Sequence, residues 1–360
     1  MFARSVVAVV AVVLWGCLSE AGGMAGDGAV AGDGAVAGDG AVAGDGAVAG
    51  DGGVAGDATV AMGVVCSGDF TIENSADLEA LANCKEVTGN LSLDGNAALT
   101  ELSLPALATV GGYLLIDLNA TLTELNLPAL ESVGELNILA TDALTELSLP
   151  ALATIGSRLI IEATVALTSI SLPALESVGS YLKIDRNATL TELSLPVLES
   201  IGGDMNIGGG LNIKDNATLT ELSLPALVSV GAYLRIELNV ALTSISLPAL
   251  ATVRGLFIEL NVALTSISLP ALATVGSYLK IGINDALTEL SLPVLESIGG
   301  DMNIDDNAAL TELSLPALES VGSYLSIEFN AALCQSIVDE IAARVEVQGD
   351  VIVGDNRDGC

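Results

Sequence analysis

All ten prolines of this chain sit at the same place in one repeated phrase, and that phrase decides most of what the chain can fold into. The phrase is Leu99-Thr-Glu-Leu102-Ser-Leu104-Pro105-Ala-Leu107, and near copies surround Pro128, Pro150, Pro173, Pro196, Pro225, Pro248, Pro270, Pro293 and Pro316. Successive prolines are 23, 22, 23, 23, 29, 23, 22, 23 and 23 residues apart. A period of that size marks a solenoid, in which each repeat is one supersecondary unit that buries its apolar side against its neighbours.

Within one turn, Leu102 and Leu104 alternate with Glu101 and Ser103, so a short strand with an apolar inner face is expected. Pro105 has no N–H for a ladder and ends that strand. Leu107 and Val110 then point inward, and Gly111 is expected to make a tight corner. Leu114 and Ile116 form a second strand. The chain is only 3% aromatic, so the core is aliphatic, as a narrow solenoid interior requires. The fold expected is mainly β: a right-handed parallel β-solenoid of about eleven or twelve turns of about 23 residues, with short helical caps.

The spacing Leu114-x-Ile116-x-x-Asn119 matches the core of a leucine-rich repeat. The asparagine recurs as a column at Asn96, Asn119, Asn187, Asn216, Asn239, Asn261, Asn284, Asn307 and Asn330, with Thr141 and Thr164 in its place in two turns. A buried asparagine at a bend can satisfy backbone groups that no ladder reaches, and a threonine hydroxyl can do part of that work. The irregular steps keep this register. The two short ones lack one residue in the same corner, at Val133-Gly-Glu-Leu136 and Val253-Arg-Gly-Leu256. The long one carries extra residues over 208–213, read either as a duplicated rung or as a glycine loop, and is the first place to look for a distinctive contact.

Outward positions carry acid. One column runs from Glu101, Glu124 and Glu146 to Glu312, interrupted by Ser169, Ser244 and Ser266. A second runs Asp117, Leu139, Glu162, Asp185, Lys214, Glu237, Glu259, Gly282, Asp305 and Glu328. Carboxylates stacked a turn apart repel, which reads as a solvated acidic face or as sites for divalent cations between turns. An unbroken column from Thr100 to Thr311 reads as turn chemistry rather than an ice-binding face. The net charge is −34, so nucleic acid and anionic membrane surfaces are poor partners. The absence of any histidine removes the commonest general base and the usual zinc and nucleophile systems.

The N-terminus reads as an export address. Arg4 precedes the apolar run Ser5–Trp15, which is too short to span a bilayer. The following Leu14-Trp-Gly-Cys17 resembles the lipobox of bacterial lipoproteins, which implies a signal peptide over 1–16, lipidation of Cys17 and an outer-membrane destination. Residues 17–65 are the lipidated end and an acidic tether; six Gly/Asp-rich hexads span 25–60. Residues 66–98 form an N-terminal cap and first rung, 99–332 the solenoid and 333–360 a second cap. A disulfide between Cys66 and Cys84 would staple a helix starting near Asn74 over one end. At the other end a helix over Ser336–Arg344 is expected, then a strand pair at Val345–Val347 and Val351–Val353. Cys334 and Cys360 pair there, leaving Cys17 odd.

The Cys66 and Cys84 spacing, with Ala82-Asn-Cys84 before Val87-Thr-Gly89-Asn-Leu91-Ser-Leu93, resembles the receptor L domain. That is the ligand-binding solenoid of insulin- and EGF-receptor ectodomains, found also in fungal wall and bacterial surface proteins. The repeats also resemble those of leucine-rich bacterial surface antigens. The expectation is a non-enzymatic, monomeric surface lipoprotein without cofactor, held to the membrane by lipid alone. It would bind another surface protein or a glycan, or build the envelope. The alternative is a carbohydrate-active parallel β-helix enzyme with carboxylate-only chemistry.

Overall fold

The computed structural model describes residues 63–203 and 209–360. Contacts divide the chain into Met1–Ala58 and Thr59–Cys360, and every described residue belongs to the second unit. The signal peptide, Cys17 and the tether are therefore outside the described residues, as is Met205-Asn-Ile207 beside the insertion.

The unit is a parallel β-solenoid of about twelve turns of about 23 residues with two short helices. Every strand pairing in it is parallel, and the pairs join residues one turn apart, as in Leu91↔Leu114↔Leu136↔Leu159↔Leu182. A long sheet of 22 strands runs along one side. Three-residue strands such as Glu101–Ser103 and Glu124–Asn126 line another, with Glu101 stacked on Glu124. Leu102, Leu104, Leu114 and Ile116 are at most 1% exposed, and their equivalents form one continuous aliphatic core. Burying that stripe is possible only by stacking, because each turn supplies the wall that covers the next.

The corner at Gly111 differs from expectation. The chain passes through it within one strand, Thr109–Asp117, whose register against the next turn shifts between Val110 and Tyr113, and Gly111 is not in the left-handed region. Glycine is needed there for another reason. A Cβ on Gly111 would lie 2.5 Å from the Thr88 carbonyl oxygen of the previous turn, so successive backbones pass too close for a side chain. The two turns that lack a corner residue, and the turn just before each, run through as one strand; the other turns split into two, such as Thr154–Ile155 and Arg158–Glu162.

Departures from the regular step are felt on the opposite side. The three-residue strands fall into separate sheets of two, three and five. The gaps lie between Glu124–Asn126 and Glu146–Ser148 and between Glu192–Ser194 and Glu221–Ser223, at the first 22-residue step and the 29-residue step. Clefts of about 420 and 430 Å³ open there. Elsewhere each threonine hydroxyl donates to the carbonyl of the threonine one turn back, as Thr168 does to Thr145 at 2.9 Å. Among the described residues, Thr145 and Thr220 make no such bond, because the turns behind them have moved away. The insertion adds no rung: Tyr181–Asp185 pairs directly with Gly210–Lys214, which pairs directly with the strand Ser229–Glu237.

Both ends are closed. Helix α1, Ser75–Leu81, begins at Asn74, whose side chain accepts from Ala76 N–H while Asp77 accepts from Asn74 N–H. Cys66 and Cys84 are disulfide-bonded behind it with Cα atoms 5.8 Å apart. Order starts slightly earlier than Cys66, because Val64–Cys66 already pairs with Cys84–Val87. Helix α2, Gln335–Arg344, buries Val338 and Ile341, and Arg344 donates to the carbonyls of Leu315 and Leu318. Cys334 and Cys360 are bonded beside it. The two segments after α2 do not pair with each other. Glu346–Val347 and Val351–Gly354 each extend the long sheet, so they form a last turn.

Candidate binding face

The asparagine column lies inside the coil, where it builds a bend and offers nothing to a ligand. All nine asparagines are at most 8% exposed. From Asn119 onward each side-chain oxygen accepts the backbone N–H of its counterpart one turn back, as Asn239 does from Asn216 at 3.1 Å, while Asn96, at the start, accepts from Ala98 and Leu99 of its own turn. Each side-chain NH₂ donates to a carbonyl in the turn before it, as Asn239 does to Ile213 at 2.9 Å. The same burial removes Asn119, Asn187 and Asn216 as glycosylation acceptors in the folded chain, although each begins an Asn-Ala-Thr triplet. A member missed in sequence is Asn356, which accepts from Asn330 N–H at 3.2 Å and donates to Ile327 at 2.9 Å. Val351-x-Val353-x-x-Asn356 repeats the spacing of Leu114-x-Ile116-x-x-Asn119, so the signal was present.

Directly before this column, eleven non-glycine residues hold φ between 44° and 60°, among them Leu118, Ile283 and Phe329. Such a conformation costs about 1–2 kcal/mol per residue. The asparagine hydrogen bonds made possible by the turn offset it. The two threonines substitute poorly. Thr141 donates to Leu139 at 3.1 Å, while the Thr164 hydroxyl is buried without a partner. Thr164→Asn is therefore expected to stabilise the chain by about 1 kcal/mol, read as a higher urea midpoint with unchanged slope.

The outer side of the long sheet is chemically unlike the rest. All five tyrosines, Tyr113, Tyr181, Tyr233, Tyr278 and Tyr324, occupy one position there, each just before a buried leucine. Seven of the eleven cations of the chain, from Arg158 to Lys280, lie on its strands or directly after them. The Arg235 guanidinium sits 4.2 Å from the Phe257 ring centre and 5.2 Å from that of Tyr233, and the two rings meet edge to face at 5.8 Å. Asn212 donates to the Tyr181 phenol at 3.3 Å. The tyrosine column was legible in the recurring Tyr-Leu-x-Ile; its meaning appears only once the turns are stacked.

The cations also explain how the acidic column beside them survives. Lys183 lies 2.5 Å from Glu162 and 3.2 Å from Asp185, and Arg186 pairs with the same two carboxylates. Arg235 lies 3.2 Å from Glu237, and Lys280 2.6 Å from Glu259, whose hydrogen bond raises the Lys280 pKa. Beyond this stretch the column has less compensation. Burial and the neighbouring Asp94 push the Asp117 carboxyl up, and burial with Asp306, Glu259 and Glu328 does so at Asp305 against the pull of Lys280. A carboxyl whose pKa is higher in the folded state than in the unfolded one favours folding when protonated. Its contribution is fully present below the ordinary value of 3.8 and is lost as pH rises through the folded value. Asp117→Asn, which keeps an oxygen for the Leu118 N–H, is expected to raise the melting temperature at pH 7 and to have no effect below about pH 4.

Asp117 and Asp305 lie in strands far apart along the coil and do not form an acid–base pair. Among the described residues, no three Asp, Glu, Cys or His converge as metal ligands, so the cation-bridging expectation finds no geometry there. None of the described helices is long and apolar enough to cross a membrane. No family model matches the chain, and no curated protein or solved structure shows a significant match to it.

Proposed function

We propose that this chain is a non-catalytic binding protein of the cell surface that presents the outer side of its long sheet to a partner. The observation that carries the reading is the gathering of all five tyrosines and most of the cations on one face of a chain with net charge −34. A rod serving only as structure has no need to concentrate them. Half-buried rings and ion-paired cations lose little freedom when covered, which favours binding. The lipobox-like Leu14-Trp-Gly-Cys17 and the acidic tether supply the display: a lipid on Cys17 and a flexible spacer holding the solenoid off the membrane. The resemblance to receptor L domains points the same way, to a monomeric ligand-binding solenoid.

The test is photo-crosslinking on the full chain within its native envelope, with the reactive group at Lys183 or Asn303 on the long sheet, or at Glu124 or Ser268 on the short strands. Adducts from the long-sheet positions alone are expected. Adducts from both sides equally, or from neither, overturn the reading. Turnover of a polysaccharide would place the chain among carbohydrate-active enzymes instead.

A further inference from the structure

From Tyr181 onward the tyrosine position alternates turn by turn: Tyr181, Gly210, Tyr233, Gly255, Tyr278, Asp301, Tyr324. The pairings place these on seven consecutive turns. The next outward position alternates in step with it: Lys183, Asn212, Arg235, Phe257, Lys280, Asn303, Ser326. Three of the four tyrosine turns thus carry a cation two residues on. The turns between carry glycine or aspartate, then asparagine or phenylalanine. The surface repeats every second turn, about 9.6 Å, although the fold repeats every turn.

We propose that this face binds one extended β-1,4-linked glycan strand with a carboxylate on every second sugar, laid along the solenoid axis from Tyr181 to Tyr324. The inference rests on the binding role proposed above and names its ligand. In an extended β-1,4 chain, alternate sugars are flipped, so the same face and the same substituent return once per disaccharide, at close to the two-turn spacing. A peptide strand presents one side chain to a face about every 6.6 Å and misses the next tyrosine, while two helix turns advance about 10.8 Å and drift by about 3.6 Å over the four tyrosines. Each ring offers an apolar plane to a sugar face. Gly255 carries no side chain because the Tyr233 ring lies over it, where a Cβ would stand 2.7 Å from that ring, so the ring rather than the glycine meets the ligand. The charge also fits. The cations Lys183, Arg186, Lys214, Arg235, Arg254 and Lys280 all lie between Tyr181 and Gly282, interleaved with Glu162, Asp185, Asp215, Glu237 and Glu259. Asp301, Asp305 and Asp306 make the far end acidic, so the carboxylates of the glycan strand are met over the Tyr181–Tyr278 turns. Arg235 is held by Phe257 and Tyr233 before any ligand arrives. Tyr113 lies outside this alternation, which sets the limit of the site.

The experiment is calorimetry on the full chain with three hexasaccharides. They are peptide-free murein strands, with a lactyl carboxylate on every second sugar; neutral chitohexaose, with the same linkage; and maltohexaose, which is α-linked and curved. The murein strand should bind tightest, chitohexaose more weakly, and maltohexaose not at all. Tyr233→Ala with Tyr278→Ala should weaken murein binding about tenfold, with circular dichroism unchanged. Lys280→Gln should weaken the murein strand and leave chitohexaose unaffected. Binding of maltohexaose as strong as the others, or indifference to the tyrosine pair, overturns the inference. If no hexasaccharide binds but crosslinkers on this face capture a protein or a second copy, the glycan assignment fails and the binding role stands. If they capture nothing, both fail.

Discussion

Asn239→Ala is expected to cost about 4 kcal/mol, one of the largest effects of any single polar substitution in the chain. The alanine leaves the Asn216 N–H buried with no partner and removes the side-chain bond to the Ile213 carbonyl, where both are now met by one side chain. It also removes the Asn239 NH₂ bond to its own turn at Glu237, which holds the bend where Leu238 is left-handed at φ 59°. That strained backbone is then uncompensated. Because stability in a stack of turns is a sum of neighbouring contacts, the damage should also weaken the coupling between the two halves of the rod. Urea unfolding followed by circular dichroism should show a lower midpoint and a broader transition. Asn239→Thr should lose less, since Thr141 shows that a hydroxyl can still reach a nearby carbonyl. An alanine variant as stable as the parent would mean that the column does not hold the bends.

Gly134→Ala is expected to cost about 2–3 kcal/mol, although it adds a single methyl group to a residue without a left-handed backbone. The new Cβ would stand 2.6 Å from the Gly112 carbonyl oxygen and 2.7 Å from that of Gly111. Those atoms are backbone of the adjoining turns and cannot swing aside, so two turns must part. Gly276 occupies the same column, yet a Cβ there meets nothing closer than 3.5 Å. Gly276→Ala should therefore be neutral or stabilising by up to about 1 kcal/mol through the unfolded state. Equal losses at the two sites, by thermal or urea unfolding, would show that close approach is not what the glycine column serves.

The coil itself was readable in the sequence because a solenoid repeats its physics. A fixed proline step, alternating leucines and the Leu-x-Ile-x-x-Asn spacing each fix local structure, and stacking them leaves one way to hide the apolar side. The caps were readable for a similar reason: Asn74 and Asp77 are local helix signals, and a pair of cysteines stands near each end. Three things needed the tertiary structure. The left-handed residues were invisible because Leu118, Ile283 and Phe329 are not residue types that favour that conformation. The surrounding bonds impose it. The role of Gly111 depends on how near the previous turn passes, a distance between residues far apart in sequence. The binding face depends on which turn lies next to which: Tyr181 and Tyr233 are 52 residues apart in the chain and two rungs apart in the sheet. Sequence order sets what each turn carries, and only stacking turns that order into a spacing a ligand can meet.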